Sequence, residues 1–299
     1  MTGARIGIDF GGTKIEIAAL DGDGGEAMRH RVPNPGNYDA ALDAVRDLVA
    51  SVEEKLGPAA SIGIGTPGAR APRTGLMRNA NSVWLNGRPF KTDLEAKLGR
   101  KIAMANDANC FALSEARDGA AAGQRIVFGV ILGTGCGGGL MIDGRMIEGG
   151  SGLAGEIGHV PLPWPHNEEL PAPRCWCGLT GCLELWVSGS GFSRAFAAAT
   201  GRDLPAPEIV NAARAGGKAE QAALEAYMDR LARGLAVVAD IVDPDCFVLG
   251  GGMSNVTELY DGMPERVQRY TFSKSWEGVV VQAKWGDSSG VRGAAMLHD

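Results

Sequence analysis

The apolar and polar positions of the chain open as strand, tight turn, strand: Arg5-Ile-Gly-Ile-Asp-Phe10, then Gly11-Gly-Thr-Lys14, then Ile15-Glu-Ile-Ala-Ala-Leu20. The pattern predicts a β-hairpin with polar residues at its tip. From Asp39 to Leu56, Leu42, Val45, Val49, Val52 and Leu56 recur at helical spacing, and Gly57-Pro58 stops the run. Ser61 to Ile64 reads as a strand entering the turn Gly65-Thr-Pro-Gly68, and Lys101 to Ala105 as a short strand ending in Asn106-Asp107. An Ala-rich helix to about Ala122 follows, so the first part alternates as an α/β lobe does.

The same opening then repeats. Arg125 to Leu132 is a buried-strand candidate, Gly133-Thr-Gly-Cys-Gly-Gly-Gly139 a glycine turn, and Leu140 to Asp143 a second strand. A long amphipathic helix is expected from Ala219 to Val242 through Leu224, Leu231, Leu235 and Val238, ended by Asp243-Pro244. Cys246 to Leu249 enters the turn Gly250 to Asn255, Gly278 to Gln282 reads as a late strand, and Ser289 to His298 as a terminal helix. The expected division is a first lobe over residues 1–122, completed by 289–299, and a second over 123–288.

Composition narrows the function. With 299 residues, 45% hydrophobic and 21% charged, the chain can bury a sizeable core. A net charge of −6 and a pI near 5.4 offer no basic patch for a phosphate backbone, so nucleic acid is not expected as a partner. MTGARIGIDF carries no leader pattern and no stretch has the roughly 18 apolar residues of a membrane helix, so no membrane partner is expected and a reducing cytoplasmic setting is. There, clustered cysteines serve more often as metal ligands or catalytic thiols than as disulfides.

Three glycine turns sit at strand ends, where missing Cβ atoms let backbone N–H groups approach an anion. Asp9-Phe-Gly-Gly-Thr-Lys14 adds an acid able to hold hydrated Mg²⁺ and a hydroxyl for a terminal phosphate. It is not a P-loop: Thr13-Lys14 reverses the Lys-Thr order and a strand follows. Gly133, Gly135 and Gly138 match G-x-G-x-x-G, yet GLMID continues as a strand where a dinucleotide site needs a helix. One such loop alone reads as a hairpin turn; three together point to a nucleotide clamp.

The ordered set DFGGTK, ANDANC, LGTGCGGG, AGEIGH, CWCGLTGCLE and GGGMSN resembles the ROK family of sugar kinases and repressors across most of the chain. The resemblance implies a two-lobed, actin-like and Hsp70-like α/β ATPase fold closing on ATP, Mg²⁺ and a sugar, commonly as a homodimer. NANSVWLNG (79–87) and GDSSGVRGAA look most like the bacterial fructokinases of the family, with N-acetylglucosamine kinases next, then glucokinases and mannokinases. A sugar-responsive repressor of the family would carry a helix-turn-helix ahead of Asp9, for which the chain offers no room, so the expectation is a kinase.

The same resemblance distributes the roles. Asp107 is expected to accept the proton of the fructose 6-hydroxyl, a position that by itself would read as a helix N-cap. Asn81, Asn106, Glu156, His159 and Glu184 are expected at the sugar with Asp107. Asp9 would assist Mg²⁺, Gly11, Gly12, Thr13, Gly133, Thr134 and Gly135 would contact phosphate, and Gly250, Gly251 and Gly252 the adenosine side.

CWCGLTGCLE places Cys175, Cys177 and Cys182 within eight positions. Zn²⁺ takes four tetrahedral ligands, and C-x-C is not the C-x-x-C of a thioredoxin-like pair. His159 completes the set by its place in the family motif, with His166 as the rival closer in sequence. A closed four-ligand site has no open position, so the zinc is expected to be structural, bracing the loop 159–184 that carries the sugar ligands. Cys110, Cys136 and Cys246 are expected to be inert.

Overall fold

The computed structural model of the chain describes residues 3–298; Asp299, last in the expected terminal helix segment, lies outside them. In chain order, β1 (Arg5–Phe10), β2 (Lys14–Leu20) and β3 (Glu26–Pro33) precede α1 (Tyr38–Leu56), β4 (Ser61–Thr66), the ribbon of β5 (Ala69–Arg70) and β6 (Met77–Arg78), and α2 (Phe90–Leu98). Then come β7 (Ala103–Asn106), α3 (Asp107–Arg117), β8 (Ile126–Leu132), β9 (Cys136–Ile142) and β10 (Arg145–Met146). The rest comprises α4 (Glu184–Val187), α5 (Gly189–Thr200), α6 (Ala206–Arg214), α7 (Lys218–Val242), β11 (Cys246–Gly250), α8 (Met263–Gln268), β12 (Val279–Gln282) and α9 (Ser289–Ala295).

Two sheets share one plan. The first runs β3-β2-β1-β4-β7 and the second β10-β9-β8-β11-β12. In each, three antiparallel strands are extended by two parallel ones. The sequence repeat of strand, glycine turn and strand is therefore a repeat of sheet topology, and the α/β actin-like plan is present.

Apolar spacing accounts for the helices that cover these sheets. Asn37 caps α1 by accepting from the Ala40 N–H, and Leu42, Val45, Val49 and Val52 are buried on the face the periodicity marks. Leu56, on the same stripe but in the last position of the helix before the Gly57 cap, is 40% exposed.

α3 and α9 pack on each other, α9 lying on β1, β2 and β4 and α3 on β8 and β9. Their closeness depends on missing side chains. A Cβ at Gly293 would overlap the Cys110 carbonyl, and one at Gly63 the Ala294 carbonyl.

Several features depart from the pattern reading. β9 begins at Cys136, so Gly137 to Gly139 are strand and not turn. A Cβ at Gly139 would overlap the Ala108 carbonyl, so this glycine serves the approach of α3, while one at Gly138 would overlap the Gly155 carbonyl on the other face. β3, the β5–β6 ribbon, α2, β10, α4, α5, α6 and α8 also lie where no element was expected. Among the described residues, no helix is long and apolar enough to cross a membrane.

Candidate active site

β7 ends and α3 begins between Asn106 and Asp107, at the carboxyl edge of the first sheet. Asn106, not Asp107, is the N-cap: its Oδ1 accepts from the Ala108 N–H at 2.9 Å while its Nδ2 donates to the Gly68 carbonyl at 3.0 Å. Asp107 is the first helical residue, and one of its oxygens shares the Ala108 N–H at 2.8 Å. Burial first, and the charge of Asp9 second, push Asp107 up to about 7 against the pull of that N–H, with Glu156 adding to the rise. Asp9 is likewise pushed up to about 6 by burial and by Glu16, its cross-strand partner in the hairpin register. Lys14 and Arg31 oppose that rise. Two half-buried acids with raised proton affinities thus interact with each other, an arrangement suited to a proton acceptor beside a cation.

Asp107 opens onto a cleft of about 670 Å³ lined also by Asn79, Asn81, Asn106, Glu156, His159 and Glu184, with Gly133, Thr134 and Gly135 along one wall. All six residues expected at a sugar are brought together there. Burial raises Glu156 above the usual carboxylate range, Glu184 adds to that rise and His159 opposes it. A second cleft, about 660 Å³, is bounded by Leu132, Gly133, Thr134, Ser190, Asn211, Gly252 and Met253. The two clefts meet at Gly133 and Thr134, which line both.

The glycine turns play different parts. Gly251 has φ +78°, and a Cβ there would lie 2.7 Å from the Leu132 carbonyl oxygen, so the turn after β11 seats directly on the Leu132–Gly133 turn. Gly252 lines the second cleft, whereas Gly250 lies in β11 beneath Phe111 and lines neither. The Gly11–Thr13 turn is held by Asn34, whose Nδ2 donates to the Gly11 carbonyl and whose N–H donates to the Thr13 carbonyl. A Cβ on Gly12 would stand 3.8 Å from Asn81 Oδ1, which places this turn next to the first cleft.

The cysteine loop forms the outer wall. Nδ1 of His159 and the sulfurs of Cys175, Cys177 and Cys182 all lie within 4.8 Å of one another. The Cys175 Sγ to His159 Nδ1 distance is 3.8 Å and Cys177 Sγ to Cys182 Sγ is 3.6 Å. Bonds of about 2.0–2.3 Å around a tetrahedral centre give edges of roughly 3.5–3.8 Å, so the donor set fits Zn²⁺. His166 lies apart, beginning a short turn with its ring 3.6 Å from Glu168. Burial and the neighbouring thiols push Cys182 up to about 12, a crowding of sulfurs that a dication would relieve.

The loop is tied down on both sides. Buried Arg233 on α7 donates to the Pro163 and Trp164 carbonyls and to Glu169. Burial alone would raise Glu169, but Arg233 and Arg230 hold it at about 2. On the cleft side, Glu184 Oε2 accepts from the Cys136 N–H at 3.0 Å and Oε1 from the Trp176 indole N–H at 2.8 Å. One carboxylate therefore joins the start of β9, just past the turn shared by both clefts, to the cysteine loop.

Sequence reasoning did not single out Asn79, Trp176 or Leu179, nor Ser190, Asn211 and the rest of the α5–α6 wall. Asn79 sits at φ +57°, a conformation that asparagine tolerates better than most residues. The wall's sequence signal is Ser188, which caps α5 by accepting from the Gly191 N–H at 2.9 Å.

The sequence model of the ROK family matches residues 5–299. The chain is 41% identical over 297 residues to an N-acetyl-D-glucosamine kinase of Salmonella gallinarum, covering 98% of each. A ROK hexokinase structure from Thermus thermophilus superposes with a TM-score of 0.85 at 31% identity, covering 98% of this chain and 97% of that one. A ROK glucokinase from Streptomyces griseus, solved with glucose and AMPPNP, gives a TM-score of 0.81 at 29% identity over 99% of both chains. With the fold, the two joined clefts and the motif order in agreement, the chain belongs to the ROK family of sugar kinases and has their actin-like ATPase fold.

Proposed function

We propose that the protein transfers the γ-phosphoryl group of ATP to the 6-hydroxyl of N-acetylglucosamine. The observation that carries the kinase reading is the meeting of two clefts at Gly133 and Thr134, with Asp107 on one side and the α5–α6 wall on the other. Phosphoryl transfer needs an in-line pose, neutralised phosphate charge and a proton acceptor. Asp107 accepts the hydroxyl proton as the oxygen bonds to phosphorus and the bond to ADP breaks. Asn81, Asn106, Glu156, His159 and Glu184 hold the remaining hydroxyls. Gly11, Gly12, Thr13 and the Gly133–Gly135 turn face the phosphates, and Gly251 and Gly252 the adenosine side. Mg²⁺ bound with ATP supplies charge neutralisation, and Asp9 would hold it through its water shell. His159, Cys175, Cys177 and Cys182 would hold Zn²⁺, which would brace the cleft wall without taking part in the chemistry.

The choice of N-acetylglucosamine over the fructose expected from NANSVWLNG rests on the 41% identity across nearly the whole of a curated N-acetyl-D-glucosamine kinase. Fructose stands second on the strength of that stretch, part of which, Asn79 and Asn81, lines the sugar cleft. With this reading go lobes of 1–122 plus 289–299 and 123–288 closing on the substrates, a homodimer and a cytoplasmic setting. Light scattering tests the dimer: the expected mass is about twice the 31.1 kDa of one chain.

ADP production measured over N-acetylglucosamine, fructose, glucose and mannose with ATP and Mg²⁺ tests the activity. The highest kcat/KM is expected with N-acetylglucosamine. A highest value with fructose would replace the first substrate by the second, and no ADP production with any hexose would sink the kinase reading.

A further inference from the structure

The cleft is polar along most of its length, yet two large apolar side chains stand at its outer end. Trp176 is 64% exposed and Leu179 is 59% exposed, and both line the cleft from the cysteine loop. Single exposed apolar side chains are ordinary on a protein surface, but a pair of them inside an otherwise polar cleft forms an apolar patch rimmed by polar groups, which marks a place where something apolar docks. The ring is also not free to swing. Its N–H is held by Glu184 Oε1 at 2.8 Å, and its edge meets the His159 ring at 5.1 Å between centroids and 80° between planes. His159 and Glu184 are themselves fixed, the first within the cysteine cluster and the second on the Cys136 N–H. Trp176 is thus a rigid apolar wall with its polar atom satisfied, the disposition in which an aromatic ring serves recognition at low entropic cost.

Its place along the cleft says which part of a sugar it meets. Asp107 stands where β7 of the first sheet gives way to α3, whereas His159 and Glu184, the residues that hold Trp176, belong to the cysteine-loop wall of the same cleft. The indole therefore lines a different wall from the proposed acceptor of the hydroxyl proton. A hexose with its 6-hydroxyl at Asp107 carries carbons 1 and 2 at the far end of its ring. We infer that Trp176, with Leu179 beside it, receives the methyl of the 2-acetamido group and so determines specificity for N-acetylated hexosamines. The inference rests on the kinase reading above and names a residue for its substrate choice.

The experiment compares kcat/KM for N-acetylglucosamine and for glucose, which has a hydroxyl at carbon 2, in the wild type, Trp176→Ala and Trp176→Phe. Bound zinc is measured in each by elemental analysis, since Trp176 stands between two cysteines of the cluster. One methyl against an apolar wall is worth roughly 10–200-fold in discrimination. Trp176→Ala is expected to lower the N-acetylglucosamine-to-glucose ratio at least about tenfold, chiefly through KM, with zinc unchanged. Trp176→Phe, which keeps the ring and loses the N–H, is expected to retain most of the ratio. An equal loss for both sugars, or an unchanged ratio, would overturn the inference even where the wild type phosphorylates N-acetylglucosamine. A wild type without activity on N-acetylglucosamine would instead remove the reading beneath it. Loss of zinc in Trp176→Ala alongside an equal loss for both sugars would assign the indole to holding the loop, and equally overturn the inference.

Discussion

Asp107 costs the folded protein stability at the pH where it is proposed to work. Its carboxyl titrates near 3.8 when unfolded and is pushed up to about 7 in the fold, so between those values the folded chain binds the proton more tightly. The stabilisation tied to that proton is complete below about 4 and is lost as pH rises through about 7. Asp107→Asn removes the buried charge and keeps an oxygen for the Ala108 N–H. The variant is expected to melt higher than the wild type at pH 8, by the equivalent of about 1–2 kcal/mol once partial exposure is discounted. The gain should shrink to nothing near pH 4. Turnover is expected to fall roughly 10²–10⁴-fold, the usual worth of a general base. Thermal melts of the two proteins at both pH values and an ADP assay check this. An Asn variant whose gain over the wild type is no larger at pH 8 than at pH 4, or one with wild-type turnover, would contradict it. The wild-type rate should rise with pH through about 7, since the acceptor must be unprotonated.

At this scale the sequence was partly legible. Asn106 and Asp107 are both cap formers, so local chemistry could not say which caps α3; the answer is Asn106, because its second nitrogen-bearing arm reaches Gly68. Glu156 and Glu184 were marked only by their motifs, as a glutamate in isolation reads as a surface charge. Trp176 was passed over because the strip around it spoke through its cysteines.

Among the elements, the cysteine loop joins chemistry to scaffold most directly. It brings His159 and Glu184 to one wall, is zipped by the Leu162 N–H to Gly181 and Leu183 N–H to Val160 hydrogen bonds, and is anchored to α7 by Arg233. Stripping zinc with a chelator, followed by return of excess Mg²⁺, is expected to lower the melting temperature and raise KM for the sugar severalfold. KM for ATP should move less, because the cluster flanks the sugar cleft and not the α5–α6 wall. Elemental analysis showing no zinc in the purified protein, or a zinc-free protein with unchanged sugar KM, would contradict this. Elements with clear periodicity, such as α1, α7 and β8, were legible from apolar spacing. β3 was not: EAMRHRVP has no buried side, since it is an edge strand whose Arg29 and Arg31 serve to neutralise buried Glu16. α5 opens Gly-Ser-Gly, which reads as loop chemistry, and its helicity comes from the Ser188 cap and from Phe192 and Phe196 packing on the core.

On the scale of the whole molecule, the repeated sheet plan was legible because each half begins with the same strand, turn and strand. How the halves are joined was not, because it depends on a residue that in sequence is one more charge in an Ala-rich helix. Glu115 on α3 is fully buried. Its carboxylate accepts from the Ser289 hydroxyl at 2.7 Å and from the Lys284, Trp285 and Ala120 N–H groups at 3.0, 3.1 and 2.8 Å. Lys284 to Ser289 is the stretch that leaves the second sheet after β12 and enters α9 on the first. One side chain on a helix packed against the second sheet therefore fixes the crossing to the first. Removing it leaves one buried donor and three part-buried ones without this partner, and a buried donor left unpaired costs about 1–3 kcal/mol. Glu115→Ala is expected to lower unfolding stability by about 1–3 kcal/mol on that basis. Glu115→Gln should lose less, since its amide oxygen still accepts while its NH₂ faces donors. Because Gly290, one residue past the crossing, lies beside the Asp9 carboxylate, the alanine variant should also lose turnover beyond what its unfolded fraction explains. Urea titration with an ADP assay at a concentration where the variant stays folded separates the two effects. A variant as stable as the wild type would show that the crossing is held by helix packing alone, through Gly293 on Cys110 and Gly63 on Ala294.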